Sequence, residues 1–440
     1  MFTVFHPPME EARSEIIDVE QLRPGMYIEL ELGWMAHPFP SGSFKISSDK
    51  QIEIIRDLGC KQIRYVPAKS DRPKTADAAP VAADAQAQRD AAQQRQQHLA
   101  QEQQLRQQRA EKLTAQQRDL AVCERRFGQT VRQYKQALEQ IHSHPREVMT
   151  QCQGMVNGYV SELLTTGESA IRLLSDGMGD KLAMHPVNIS IISLLLGKQM
   201  GLSEIEMTDL GLAAFLHDIG KLELPGRVRW QEDSFSAHET KAYQTHVAQS
   251  VMLGQRMGLS PGALQAIAQH HEMVDGSGFP GRLKGEAMTL PARILALVNR
   301  YEDLCNPSHP AAALTPHEAL ALIFAQLKTR FDATVLQAFI RMMGVYPPGS
   351  VTQLNDERYA MVVSVNSSRP LKPRVIVFDA KVPKHEALIL DLEAAPELGI
   401  KRSLKPTGLP NAALDYLSPR KRYCYFFEPA MELLPRELTP

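Results

Sequence analysis

Between His217 and Gly281 the chain carries, in order, His217-Asp218, Lys221, His246, His270-His271-Glu272, Asp275-Gly276 and Gly278-Phe279-Pro280. Imidazole nitrogen with carboxylate oxygen is a ligand set for Fe, Mn or Zn, and one carboxylate is able to bridge two ions. Lys221 stands about one helical turn after His217, so a cation reaches the same place. The chemistry this set suits is metal-assisted hydrolysis of a phosphate ester. Taken singly the pieces have plainer readings: a His-Asp pair is commonly a capping detail, and a lone histidine on an apolar face is commonly a hydrogen-bonded core residue. Adjacent histidines at a helix end, followed by Glu272 and a Gly-rich loop, are harder to explain by packing.

Helices must position these groups. Ser203 with Glu206, and Ser236 with Glu239, have capping-box spacing, while Ser260-Pro261 and Leu290-Pro291 put proline where a first turn tolerates it. Leu210, Ala213 and His217 fall on one stripe, which sends the imidazole coreward at the end of its helix. Gly220 is read as the residue that ends this helix, so that Asp218 turns toward the same site. His246 shares a face with Ala242 and Leu253, and His271 with Leu264, Ile267 and Ala268. His185 lines up with Ile189, Ile192 and Leu196, and Pro186 predicts that it stands near a helix start. Gly276 and Gly278 would let backbone approach a nucleotide closely or shape a pocket rim.

The sequence HDIGK at 217–221, with HHEMVDGSGFP at 270–280 against the pattern HHExxDGxGYP, resembles the HD-GYP branch of the HD phosphohydrolases over about residues 178–345. The resemblance implies a metal-dependent phosphodiesterase that hydrolyses the bacterial messenger cyclic di-GMP to pGpG or GMP through a metal-activated hydroxide. It implies that His185, His217, Asp218, His246, His270, His271 and Asn299 hold two divalent ions, Fe or Mn with Zn as the alternative. Asp218 is then the bridging and catalytic carboxylate, and Lys221 the catalytic cation on phosphate. Lys221, Asp275, Gly276, Gly278, Phe279, Pro280 and Arg282 are expected to line the substrate.

The chain also departs from the family. Asn299 stands where the family has its last ligand, an aspartate, and Asp303 follows one turn later. The stretch Cys305 to Pro310 lacks the family's phosphate-gripping arginine, a lack Arg282 partly offsets. Lys181 replaces the glutamate of members with a third ion. The alternative class is therefore a degenerate HD-GYP module that binds ligand or signalling partners without hydrolysis. Action on other phosphate esters is a third option.

Around this site the 440 residues read as a multidomain, mainly α protein. Residues 1–70 form a small α+β unit resembling an uncharacterised domain found before HD-GYP domains, on the pattern Leu22 to Tyr27 and Ile63 to Val66. Residues 71–125 are an Ala/Gln-rich linker, helical or disordered, either a plain spacer or a stalk that pairs two chains. Residues 126–345 are the helical HD-GYP domain, and 346–440 a β-rich extension. Lys and Arg number 49 against 50 Asp and Glu, which gives no global reason to bind a nucleic-acid polymer or an anionic membrane. Five scattered cysteines without CxxC spacing suggest neither a disulfide framework nor a zinc ribbon. The longest apolar run, Ile189 to Leu196, is far short of the roughly 18 residues of a membrane span. A cytoplasmic protein is expected.

Overall fold

The computed structural model describes residues 14–33, 36–72, 81–176, 181–230, 234–366 and 369–429, with backbone alone at 81–90 and 181–182. Residues 73–80 of the expected linker and the Lys181 side chain lie outside the described residues. Two compact units are present: residues up to Thr114 with Asp379–Ala387, and Ala115–Phe378 with the chain from Leu388.

The first unit is a small α+β fold. Strands β1 (Glu15–Asp18), β2 (Tyr27–Glu29), β3 (Ser43–Lys45) and β4 (Gln62–Tyr65) form an antiparallel sheet in the order β1-β4-β2-β3, with helix α1 at Asp49–Asp57. Its core is Val19, Leu22, Met26, Ile28, Leu30, Ile46, Ile52, Ile55 and Ile63. Helix α2 is continuous from Val81 to Gln140. Its face is exposed through the Gln-rich stretch, but Cys123, Phe127, Val131, Tyr134 and Ala137 recur every three or four residues and enter the core of the second unit.

The second unit continues with α3 (Pro145–Thr165), β5 (Ser169–Leu173), α4 (Lys181–Gln199), α5 (Glu204–Leu216), α6 (Ala237–Gln244), α7 (His246–Met257), α8 (Pro261–Gln269), α9 (Leu290–Cys305), α10 (Pro316–Leu322) and α11 (Ala333–Met343). Both expected capping boxes form, Ser203 with Glu206 and Ser236 with Glu239, and each seats its helix start. Pro261 and Pro291 occupy first turns as their spacing predicts. α5 is central, lying against α3, α4, α8 and α9, and this explains its buried run from Leu210 to Leu216.

The later chain adds β6 (Val351–Leu354), β7 (Tyr359–Asn366), β8 (Arg374–Val377), β9 (Ile389–Asp391), β10 (Ile400–Leu404), α12 (Asn411–Leu417) and β11 (Tyr425–Pro429). β5, from the helical region, is a member of the same sheet, whose backbone order is β10-β6-β7-β5-β11. Ile171 pairs Phe427 on one side and Val365 on the other. Helices and sheet therefore share one apolar core, running from Cys123 to Phe427. No helix is long and apolar enough to cross a membrane among the described residues.

Candidate metal centre

Three histidines are held by the same local device. Each ring follows the end, or stands at the start, of a helix where the carbonyl three residues earlier is free to accept. His217 Nδ1 donates to Ala214 O at 2.8 Å, His246 Nδ1 to Tyr243 O at 2.6 Å, and His270 Nδ1 to Ile267 O at 2.6 Å. A ring that donates through Nδ1 keeps a lone pair on Nε2, and the bond fixes its orientation. All three rings are fully or almost fully buried.

The three Nε2 atoms converge on Asp218, and the two carboxylate oxygens divide them. Oδ2 faces His217 Nε2 at 3.4 Å, His185 Nε2 at 3.5 Å and Lys221 Nζ at 2.6 Å. Oδ1 faces His246 Nε2 at 3.5 Å and His270 Nε2 at 3.9 Å. The donor atoms of Asp218, His246, His270 and His271 lie within 4.8 Å of one another, as do those of His185, His217 and Asp218. One carboxylate thus stands between two imidazole sets, the arrangement a pair of bridged cations requires.

Polar atoms at the centre support that fit. His217 Nε2, Asp218 Oδ1, His271 Nε2 and Asn299 Oδ1 are buried without a hydrogen-bond partner. Each would ordinarily cost about 1–3 kcal/mol of lost hydration, so the unpaired atoms of His217, Asp218 and His271, which the two donor groups bring together, fit a cation's ligand set. A cavity of about 20 Å³ opens between Tyr134, His185, Asp218, Lys221 and Trp230, near the space of a single water.

Burial and charge set the protonation states. Burial pushes His246 down to about 4, against the opposing charge of Asp218, and drives His270 and His271 well below the usual imidazole range with help from neighbouring rings. These three rings are neutral near neutrality. Burial also opposes the charged form of His185, but Glu302 and Asp218 together outweigh it and hold the ring at about 10. Burial likewise disfavours the Asp218 carboxylate, yet Lys221 and His217 keep it well below the usual range, and Asp218 in turn raises Lys221.

A pH dependence follows for the metal-free chain. As pH falls from 6.5 toward 4, the unfolded chain takes up imidazole protons that folded His246, His270 and His271 refuse, so stability is lost across that window. His185 has the opposite sign: its contribution is complete below 6.5 and is lost as pH rises through about 10. Urea midpoints measured in chelator are expected to peak near pH 6.5. A midpoint that holds steady from pH 6.5 to 4.5 would contradict these assignments.

Behind His185 lies a second tier that sequence reasoning missed. His185 Nδ1 meets Glu302 Oε2 at 2.5 Å, and Glu302 Oε1 accepts from Asn306 Nδ2 at 2.8 Å and Asn188 Nδ2 at 3.3 Å. Asn306 and Asn188 in turn bind the backbone of Tyr423 and Tyr425, so the C-terminal chain locks the tier. The signal was a glutamate within the otherwise apolar face of α9, next to Tyr301 and Cys305.

His185 stands in the opening turns of α4, which begins at Lys181, where Pro186 is tolerated because few amide bonds are lost. Two other expectations are corrected. α6 and α7 are separate helices meeting at Thr245, so Ala242 and His246 do not share one helix. Gly220 does not cap α5. It sits in a short 3-10 turn, Ile219–Glu223, where an added Cβ would fall 2.2 Å from His246 O and 2.5 Å from Ser250 N. Its glycine lets α7 press onto the His217-Asp218 turn.

The loop after His271 is held from within. Buried Glu272 accepts from Gly281 N at 2.5 Å and Leu283 N at 2.8 Å. A Cβ on Gly278 would meet Met273 N at 2.4 Å and His271 O at 2.5 Å, so this glycine serves the loop's own close packing. Phe279 stacks on His271 with ring centroids 4.5 Å apart and packs with Leu224, Val228 and Tyr243, which places it as a support for that ring. Asp275 Oδ1 accepts from Ser277 N, its backbone pairs with Lys284 in an isolated antiparallel bridge, and Gly276 lies against Lys284 at positive φ. Pro280 and Arg282 are exposed, and no hydrogen bond or ion pair joins Arg282 to the histidines among the described residues.

Residues 168–335 match the HD domain family, and residues 15–152 match DUF3391, a domain of unknown function. A cyclic di-GMP phosphodiesterase of Pseudomonas aeruginosa is 26% identical over 378 residues, 83% of this chain and 86% of that one. A cyclic di-GMP phosphodiesterase response regulator of Xanthomonas campestris is 35% identical over 156 residues, 35% of this chain and 41% of the relative. Among solved structures, the HDG"Y"P protein of Bdellovibrio bacteriovorus aligns with a TM-score of 0.40 at 14% identity, covering 74% of this chain and 98% of that one. The chain carries an HD domain, of the metal-dependent phosphohydrolase fold, behind an N-terminal DUF3391 domain.

Proposed function

We propose that the chain hydrolyses cyclic di-GMP to pGpG or GMP in the cytoplasm, using two divalent transition ions, Fe or Mn ahead of Zn. The observation that carries this reading is Asp218, one carboxylate whose oxygens face His185 and His217 on one side and His246 and His270 on the other. Such a pair of ions supplies an activated water and neutralises phosphate charge during in-line displacement. Asn299 adds a neutral carbonyl ligand, and His271 completes the second set. Lys221, held on Asp218 and stacked over Trp230 and Tyr243 at 5.5 and 5.3 Å, is placed to take a phosphate oxygen once the carboxylate is shared with cations. Arg282 and Pro280, exposed on the loop after His271, form the substrate rim with Asp275 and Gly276. The relatives' names support cyclic di-GMP as the substrate.

Asn299 favours a second reading, ligand binding without turnover, because the site loses one negative charge. Anaerobic purification, elemental analysis and chromatographic identification of products on one preparation separate the two. Turnover to linear dinucleotide or GMP is expected. A preparation with two ions per chain that binds cyclic di-GMP but releases no product, beside a relative that does, would overturn hydrolysis.

A further inference from the structure

Asn299 leaves the metal centre short of a carboxylate, and a carboxylate stands one turn further along α9. Asp303 is four residues on, on the same helix face. Its carboxylate, a ring nitrogen of His185 and a carboxylate oxygen of Glu302 lie within 4.8 Å of one another. Glu302 is committed, one oxygen to His185 Nδ1 and the other to Asn306 and Asn188. Asp303 has no such commitment: it is half-buried and makes no hydrogen bond or ion pair among the described residues. It stands close enough for its charge to act on His185, Lys221 and Tyr243. The buried atom His217 Nε2, 3.4 Å from Asp218 Oδ2 and without a hydrogen-bond partner, is an independent sign that a cation belongs on the His185–His217 side of Asp218.

We infer that Asp303 supplies the negative ligand of the ion on the His185–His217 side, so that the carboxylate missing at position 299 has been moved one turn along α9 rather than lost. The inference rests on the two-ion reading of the site. The residue pair works as a unit: a neutral amide at 299 leaves room and charge for a carboxylate at 303, whereas two carboxylates with Asp218 and Glu302 nearby would crowd four negative groups around one ion. The site then remains a charged, transition-metal-binding centre despite Asn299.

Mn²⁺ is the probe. Free Mn²⁺ is followed by electron paramagnetic resonance in titrations of the full chain, of Asp303→Ala, and of the double variant Asn299→Asp/Asp303→Ala, with far-ultraviolet circular dichroism for folding. The wild type is expected to bind two ions. Asp303→Ala is expected to keep one and bind the other at least about tenfold more weakly, the scale on which groups around a metal alter affinity. The double variant is expected to recover most of that loss, since it returns one carboxylate to the face. Equal affinity of Asp303→Ala and wild type would overturn the inference, and so would a loss that the double variant fails to recover, which would mark a structural role. A wild type that binds no Mn²⁺ would overturn the two-ion reading itself, an outcome distinct from the other two.

Discussion

Replacing Asp218 by Asn is expected to reduce turnover of cyclic di-GMP about 10³-fold, the scale of deleting one preorganised charge-stabilising group, and to leave the chain short of both ions. The carboxylate faces His185, His217, His246, His270 and Lys221 at once, so a single substitution touches both halves of the centre. Metal affinity should fall more than about 100-fold, beyond the range seen when only an outer partner is removed. The amide also leaves Lys221 as a buried ammonium without its counter-charge, and unpairing such a group costs about 3 kcal/mol. Elemental analysis, steady-state kinetics and urea denaturation check the three effects. An Asp218→Asn chain that retains two ions and near-normal kcat would show that the carboxylate is not their bridge.

Gly220→Ala is expected to disrupt both the packing of the domain and the geometry of its site. Its Cβ would lie 2.2 Å from His246 O, 2.5 Å from Ser250 N and 2.8 Å from Ser250 Oγ, and two of these are backbone atoms that yield only if α7 moves. The bond from Gly220 N to Ser250 Oγ, 2.8 Å, would be lost with the shift. Overpacking of this kind costs about 3 kcal/mol. Because His246 begins α7, the displacement is passed directly to a ligand, and a misplacement of about 1 Å is enough to lower rate about 100-fold. A urea midpoint and kcat both within error of wild type would contradict the close contact.

The placement of the chemistry was legible because helix starts announce themselves. Ser203 with Glu206, Ser236 with Glu239, Pro261 and Pro291 fixed where four helices begin, and two of these starts set the phase of His217 and of His270-His271, whereas His246 opens α7, beyond the helix that Ser236 caps. What holds those rings was not legible. The Nδ1 bonds to Ala214, Tyr243 and Ile267 depend on carbonyls left free at helix ends, and spacing of residue types carries no mark of a backbone acceptor. Gly220 was misread for a related reason: a glycine that ends a helix and one that admits a neighbouring helix look alike in sequence, and only the contact with His246 and Ser250 separates them.

The same limit applies at longer range. Asp218 and Glu302 are far apart in sequence, as are β5 and β11, and local pattern cannot say that His185 joins the first pair or that Ile171 meets Phe427. Residues 346–440 read as a separate β-rich extension, yet their strands enclose β5 and their backbone at Tyr423 and Tyr425 anchors the tier behind His185. Amphipathic alternation predicts strands well but does not name their partners.

Anomalous diffraction from crystals of the anaerobically purified, Mn²⁺-loaded chain addresses the central claim most directly. Two peaks are predicted about 3.5–4 Å apart, one against His217 and Asp218 Oδ2 and the other against His246, His270 and Asp218 Oδ1. A single peak, or a pair that does not share Asp218, would contradict the bridged two-ion centre.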